Sequence, residues 1–289
     1  MENTTVVVHG ATGTQGVPVV RKLLAAGHRV RAAVRNPSVP GLPRGAEPVT
    51  ADLSSPDSLA AAYTGADAVV VQLPLVFAAD AALQQAEAVL TALKQAGVRQ
   101  AVFNTSGPVM TEPIGVPFLD ARARLAAELP GVVPAATVIA PARTYMENLS
   151  APWSAPLVAA GEVAYPLPAD LPVPWLAMDD LGAAVAGLLA SPAPPPLRVL
   201  AGPQALTGEE VAAELGAALG LPVRWRAITP EETERMLAPH LGPEAAAGIA
   251  ASYMPPPPDA PPAPEPDPAV VSTGSTTLRE WATRQNWTR

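Results

Sequence analysis

Cysteine is absent from this chain of 289 residues. That excludes disulfides, thiolate metal ligands and cysteine nucleophiles, and it removes any argument for an oxidising compartment. Lysine occurs only at Lys22 and Lys94. Neither lies four residues after a tyrosine, so no ammonium is placed there to lower a phenol's pKa. The histidines, His9, His28 and His240, share no ligand spacing, and no metal site is expected. No Gly-x-Ser-x-Gly elbow occurs. Basic residues number 18 against 26 acids, a formal net charge of −8, which argues against a nucleic-acid surface. No apolar run approaches the roughly 18 residues of a membrane span. The N-terminus enters a strand directly, without the charged region and apolar run of a signal peptide, so a cytoplasmic protein is the expectation. Aromatics are scarce at 4%, while hydrophobic residues reach 49%. A core of valine, leucine and alanine follows.

Glycine, in contrast, is placed with purpose. Val6-Val7-Val8 forms a short β-branched strand, and Gly10, Gly13 and Gly16 follow it at three-residue spacing. A helical pattern of Val17, Val20, Leu23 and Leu24 starts at once. Strand, tight turn and helix in this order suit a dinucleotide pyrophosphate. Gly10 allows the turn, Gly13 lets backbone approach a phosphate, and Gly16 lets the helix pack closely.

The rest alternates in the same way. Strands are predicted at 28–34, 47–51, 67–72, 99–103 and 135–140. Helices are predicted from Pro56, over 79–95 and over 117–129, with Gly27, Gly65, Gly97 and Gly131 closing the first four helices. Six strands alternating with helices predict an α/β fold, a Rossmann-type doubly wound parallel sheet. Past Pro141 the alternation loosens, and a smaller C-terminal substrate lobe is expected. Residues 1–150 are read as the nucleotide-binding domain, with 173–202 returning to it, and 151–289 as the lobe. The lobe carries a capping-box helix from Thr207, a proline-rich stretch over 254–268 and a last helix from Thr277. A spacer explains the proline-rich stretch more simply than a partner-binding ligand does. Asp179-Asp180 read as the acids of a helix start.

The end of the second strand bears on the cofactor. NAD-binding folds place an acid there to accept from the ribose hydroxyl. This chain offers Arg35-Asn36, and its nearest acids, Glu47 and Asp52, lie well beyond. A guanidinium pairs with a 2′-phosphate that a carboxylate would repel, so NADP(H) is favoured over NAD. A solvated strand-end charge is the alternative for Arg35.

Gly10-Ala11-Thr12-Gly13-Thr14-Gln15-Gly16, Ala33-Val34-Arg35-Asn36-Pro37 and Tyr145-Met146-Glu147-Asn148-Leu149 together carry a resemblance. The chain resembles the NmrA-like family of atypical short-chain dehydrogenases/reductases over most of its length, the proline-rich stretch excepted. That family includes NADPH-dependent quinone and triphenylmethane reductases, and NADP-binding regulators without demonstrated chemistry. The resemblance implies that Thr12, Gly13, Thr14 and Gln15 lie along the pyrophosphate, and Arg35 on the 2′-phosphate. It further implies Asp52 and Leu53 beside the adenine, Gln72, Leu73 and Pro74 beside the ribose, and Thr105 and Ser106 near the nicotinamide. Where the family often has a lysine, this chain has Arg122, which can donate a hydrogen bond but cannot release a proton. An ordinary helix-surface charge explains Arg122 equally well.

Two functions remain in view. One is reduction by NADPH of a flat, quinone-like small molecule, with Tyr145 and Trp153 as candidates for the acceptor wall, although lobe packing also accounts for both. The other is a non-catalytic NADP(H) sensor that binds a protein partner. A homo-oligomer is compatible with either.

Overall fold

The structure, a computed structural model, describes residues 4–109, 113–142, 144–254 and 266–287. In chain order the first elements are β1 (Thr5–His9), α1 (Gly16–Ala25), β2 (Arg29–Val34), β3 (Glu47–Thr50), α2 (Pro56–Tyr63) and β4 (Ala68–Gln72). α3 (Ala79–Gln95), β5 (Gln100–Asn104), α4 (Pro117–Glu128) and β6 (Ala135–Pro141) complete the alternation. Next come β7 (Thr144–Tyr145), α5 (Ala155–Ala159), β8 (Glu162–Tyr165), β9 (Val173–Leu176), α6 (Met178–Ala190) and β10 (Leu197–Ala201). The chain ends with β11 (Ala205–Leu206), α7 (Gly208–Leu219), β12 (Arg224–Ala227), α8 (Pro230–Leu241), α9 (Pro243–Ala251), β13 (Val271–Thr273) and α10 (Leu278–Thr283).

Two compact units result. The first comprises 1–143, 178–200 and 269–272. Its sheet runs β13-β10-β6-β5-β4-β1-β2-β3, and the strands from β10 to β3 pair in parallel. This is a Rossmann-like α/β fold, as the alternation predicted. The order reverses between β1 and β4, the crevice at which such sheets bind ligands. All five β1 residues are buried, because both faces are covered. Val7, Val69, Val71, Ala101 and Phe103 share one core with Leu59, Val89, Leu93 and Leu125 of α2, α3 and α4. α1 and α6 pack together along their lengths. Gly182 permits that, since a Cβ there would fall 2.8 Å from the Pro18 backbone.

One local expectation shifts: α4 ends in a 3-10 turn, Leu129–Gly131, rather than at a left-handed glycine. Asp179 and Asp180 are acids of the first turn of α6, at the helix start where the sequence reading put them.

The second unit comprises 144–177, 201–268 and 273–289. It has a three-stranded sheet, β11-β9-β7, and a two-stranded one, β12-β8. Its core holds Tyr165, Trp175 and Trp281, so the few aromatics concentrate here. The capping box at Thr207 forms, and the same device recurs at Thr229 and Thr277. Of the proline-rich stretch, 255–265 lie outside the described residues. Among the described residues no helix is long and apolar enough to cross a membrane.

Candidate functional site

The turn after β1 is built from its glycines. Gly10 sits at φ +61°, a conformation that favours glycine. The Gly13 N–H donates to the Gly10 carbonyl at 2.8 Å, and the Val17 N–H to the Gly13 carbonyl at 2.9 Å. A Cβ on Gly16 would fall 2.0 Å from the Gly10 oxygen, so the helix can start this close to the turn only at glycine. Thr12, Gly13 and Thr14 are exposed. The backbone N–H groups of Thr12, Thr14 and Gln15 have no partner among the described residues. Unpaired donors at the positive end of a helix form an anion site, and they fit a pyrophosphate.

The neighbouring strand ends join this turn. Asn104, 2% exposed at the end of β5, donates from its amide nitrogen to the Gln15 side-chain oxygen at 2.7 Å. Its own oxygen accepts the Ser106 N–H at 2.9 Å. Ser106 takes φ +56°, which is strained for a residue with a Cβ. The Gln72 amide nitrogen donates to the Ser106 hydroxyl at 3.3 Å. Thr105 is buried, its hydroxyl directed at the Gly107 and Ile139 carbonyls. Leu73 is buried and Pro74 exposed. Glycine turn, Gln15, Gln72, Asn104 and Ser106 thus meet at one sheet edge. Of these, sequence reasoning did not single out Asn104.

Nor did it single out the pair beneath the turn. His9, the last residue of β1, lies 2.7 Å from the Tyr63 hydroxyl through Nε2, and both side chains are buried. Burial lowers the His9 pKa to about 4 and raises that of Tyr63. The folded chain therefore keeps this imidazole neutral, while the unfolded chain protonates it below its ordinary 6.5. Stability is whole above that value and falls as pH drops towards the folded-state pKa. The loss on moving from about pH 7.5 to about pH 4.5 is expected to be about 2.5 kcal/mol. Urea titrations at both pH values, on wild type and on His9→Gln, test this. The variant's loss should be smaller by about that amount, and equal losses would exclude His9 as the cause.

Arg35 and Asn36 are exposed just past the end of β2, as expected. The Asn36 oxygen accepts the Ser38 N–H at 3.0 Å. Asp52 is exposed past the end of β3; the Ser54 hydroxyl and N–H, with a smaller effect of the Arg35 charge, lower its carboxyl pKa. Leu53 packs half-buried on the core. Arg122 is not a helix-surface charge. It is buried, donates to the Leu73 carbonyl at 3.1 Å, and lies over the Phe118 ring with 5.2 Å to the centroid. Tyr145 and Trp153 belong to the second unit and are half-buried there. Tyr145 sits on β7, and the Trp153 ring packs on His240 at a centroid distance of 5.9 Å.

Known proteins agree with this architecture. An NAD(P)H azoreductase of Xenophilus azovorans is 34% identical over 236 residues, covering 80% of each chain. The Citrobacter triphenylmethane reductase in complex with NADP(H) matches at TM-score 0.70 and 22% identity, covering 86% of this chain and 88% of that one. The Escherichia coli NADPH-dependent quinone oxidoreductase with NADPH matches at TM-score 0.67 and 24% identity, covering 86% and 87%. The model of the NmrA-like family matches residues 2–253, and the chain belongs to that family.

Proposed function

We propose that this protein is an NADPH-dependent reductase of a flat, electron-poor small molecule, quinone-like or azo. The observation that carries the reading is the glycine turn, with its unpaired N–H groups at the start of α1. The 34% identity to an NAD(P)H azoreductase supports the acceptor class. Bound NADPH supplies a hydride. The chain's own part is to bind and orient. The Thr12, Thr14 and Gln15 N–H groups hold the pyrophosphate, Arg35 and Asn36 the 2′-phosphate, and Asp52 and Leu53 flank the adenine. Gln72, Leu73 and Pro74 line the ribose, Ser106 stands nearer the nicotinamide with Thr105 supporting its backbone, and Arg122 braces the Leu73 carbonyl. Tyr145 and Trp153 are the proposed acceptor wall.

Neither lysine lies four residues after a tyrosine, and burial holds the Tyr165 pKa well above its usual value. A reduced quinone tolerates this, because its anion takes a proton from water. The test is to mix protein and NADPH with panels of quinones and azo dyes and follow NADPH oxidation. Tight NADPH binding without oxidation against either panel would assign the chain to NADP(H) sensing instead.

Cofactor choice gives a sharper number. NADPH should bind more tightly than NADH, and Arg35→Ala should remove about 1.5–3 kcal/mol from NADPH binding, the worth of a charge-assisted contact. NADH affinity should stay nearly unchanged. Equal wild-type affinities for the two cofactors in calorimetric titrations would reject the assignment of Arg35.

A further inference from the structure

We propose that Asn104 is a positioning residue that sets which end of the Gln15 amide is offered to the cofactor, a reading that rests on the pyrophosphate site above. A side-chain amide can normally turn either way round, oxygen and nitrogen exchanging places. Here the backbone removes the choice. The Ser106 N–H can only donate, so the Asn104 atom 2.9 Å from it must be the oxygen. The two residues are a short turn of the Asx type, formed locally and independent of any ligand. The other Asn104 atom is then the NH2, and it meets Gln15 at 2.7 Å. An NH2 needs an acceptor, so Gln15 must present its oxygen to Asn104. What remains of the Gln15 side chain is its own NH2, which bonds to nothing among the described residues.

That residue precedes α1 directly, at the helix end where the Thr14 and Gln15 N–H groups have no partner among the described residues. Phosphate oxygens accept and never donate, so the orientation matters in sign as well as strength. The strained Ser106 backbone orients Asn104, Asn104 orients Gln15, and Gln15 adds a donor to the turn. With Asn104 2% exposed, water does not compete for the relay.

Asn104→Asp tests the relay with almost no change in shape. The aspartate still accepts from Ser106, but its second oxygen also accepts. Gln15 must then turn round and leave its oxygen facing the ligand. NADPH affinity, followed by titration, should fall by about tenfold or more in the wild-type background. In a Gln15→Met background, where there is no amide to turn, the same change should cost less than about threefold, a residue of added charge alone. Binding of adenosine 2′-monophosphate, which lacks the pyrophosphate, should be unaltered in all variants. If Asn104→Asp fails to fold, Gln15→Glu replaces it: the carboxylate keeps the bond from Asn104 and should lose NADPH affinity similarly. Equal losses in the two backgrounds, or no loss with Asn104→Asp or Gln15→Glu, would overturn the relay. Failure of the wild type to bind NADPH at all would instead overturn the pyrophosphate reading.

Discussion

Gly16→Ala is expected to destabilise the first unit by about 3 kcal/mol and to remove NADPH binding with it. The added Cβ would stand 2.0 Å from the Gly10 carbonyl oxygen and 2.6 Å from its carbon. Neither atom belongs to a side chain that can swing away. Gly10 is held in turn by its φ of +61° and by the Gly13 N–H, so relief requires opening the turn or tilting α1. Tilting α1 also disturbs its packing on α6. Both the core and the arrangement of the N–H groups proposed to hold phosphate are lost in one move. Chemical denaturation and NADPH titration of the same variant check it. A variant within about 0.5 kcal/mol of wild type would mean the turn accommodates a methyl without cost.

Gly16 also illustrates how much of this molecule its sequence discloses. The first unit is legible because its strands are buried on both faces, and Val6-Val7-Val8 or Ala68-Val69-Val70-Val71 then reads as an unbroken apolar run. Its helices carry local punctuation: Ser55 accepts the Ser58 N–H as a cap, and Gly27, Gly65 and Gly97 adopt positive φ. The second unit is built differently. β7 and β11 have two residues each, and β9 contains Pro174, which contradicts a strand reading. These strands exist because Trp175 and Tyr165 bury area in a tertiary core, and local pattern carries no trace of that. α9, opened by Pro243 and mostly alanine, lacked a periodic apolar stripe and was not expected.

Within the site the same division holds. Glycine spacing announces the turn, because backbone conformation is written in the residue type. Asn104 and His9 are single polar residues at strand ends, and spacing says nothing about them. A signal existed in each case. Asparagine two residues before Ser106-Gly107 fits an Asx turn. A histidine closing a fully buried strand needs a buried partner, which Tyr63 supplies. Arg122 was ambiguous for a related reason. The α4 sequence gives charge on several sides, and it is tertiary packing, over Phe118 and with a bond to the Leu73 carbonyl, that turns this arginine inward.

Gly13→Val should separate ligand from fold where Gly16→Ala does not. The Gly13 φ is not in the left-handed region, so a side chain brings no backbone strain of that kind. Its Cβ would lie 3.3 Å from the Gly10 oxygen, a contact that small adjustments relieve. The residue is exposed, and its N–H bond to Gly10 survives substitution. Stability should therefore drop by only about 1 kcal/mol. The branched methyls, however, take up space over the very N–H groups that have no protein partner. A pyrophosphate held there needs backbone at contact distance, and valine keeps it away. NADPH affinity should fall by at least about 100-fold, about 2.7 kcal/mol. Adenosine 2′-monophosphate, for which Arg35 rather than the turn is the proposed contact, should be much less affected. The decisive comparison is thermal stability beside NADPH affinity in one preparation. A folded Gly13→Val protein with wild-type NADPH affinity would show that this glycine serves only the turn, and that the phosphates bind elsewhere.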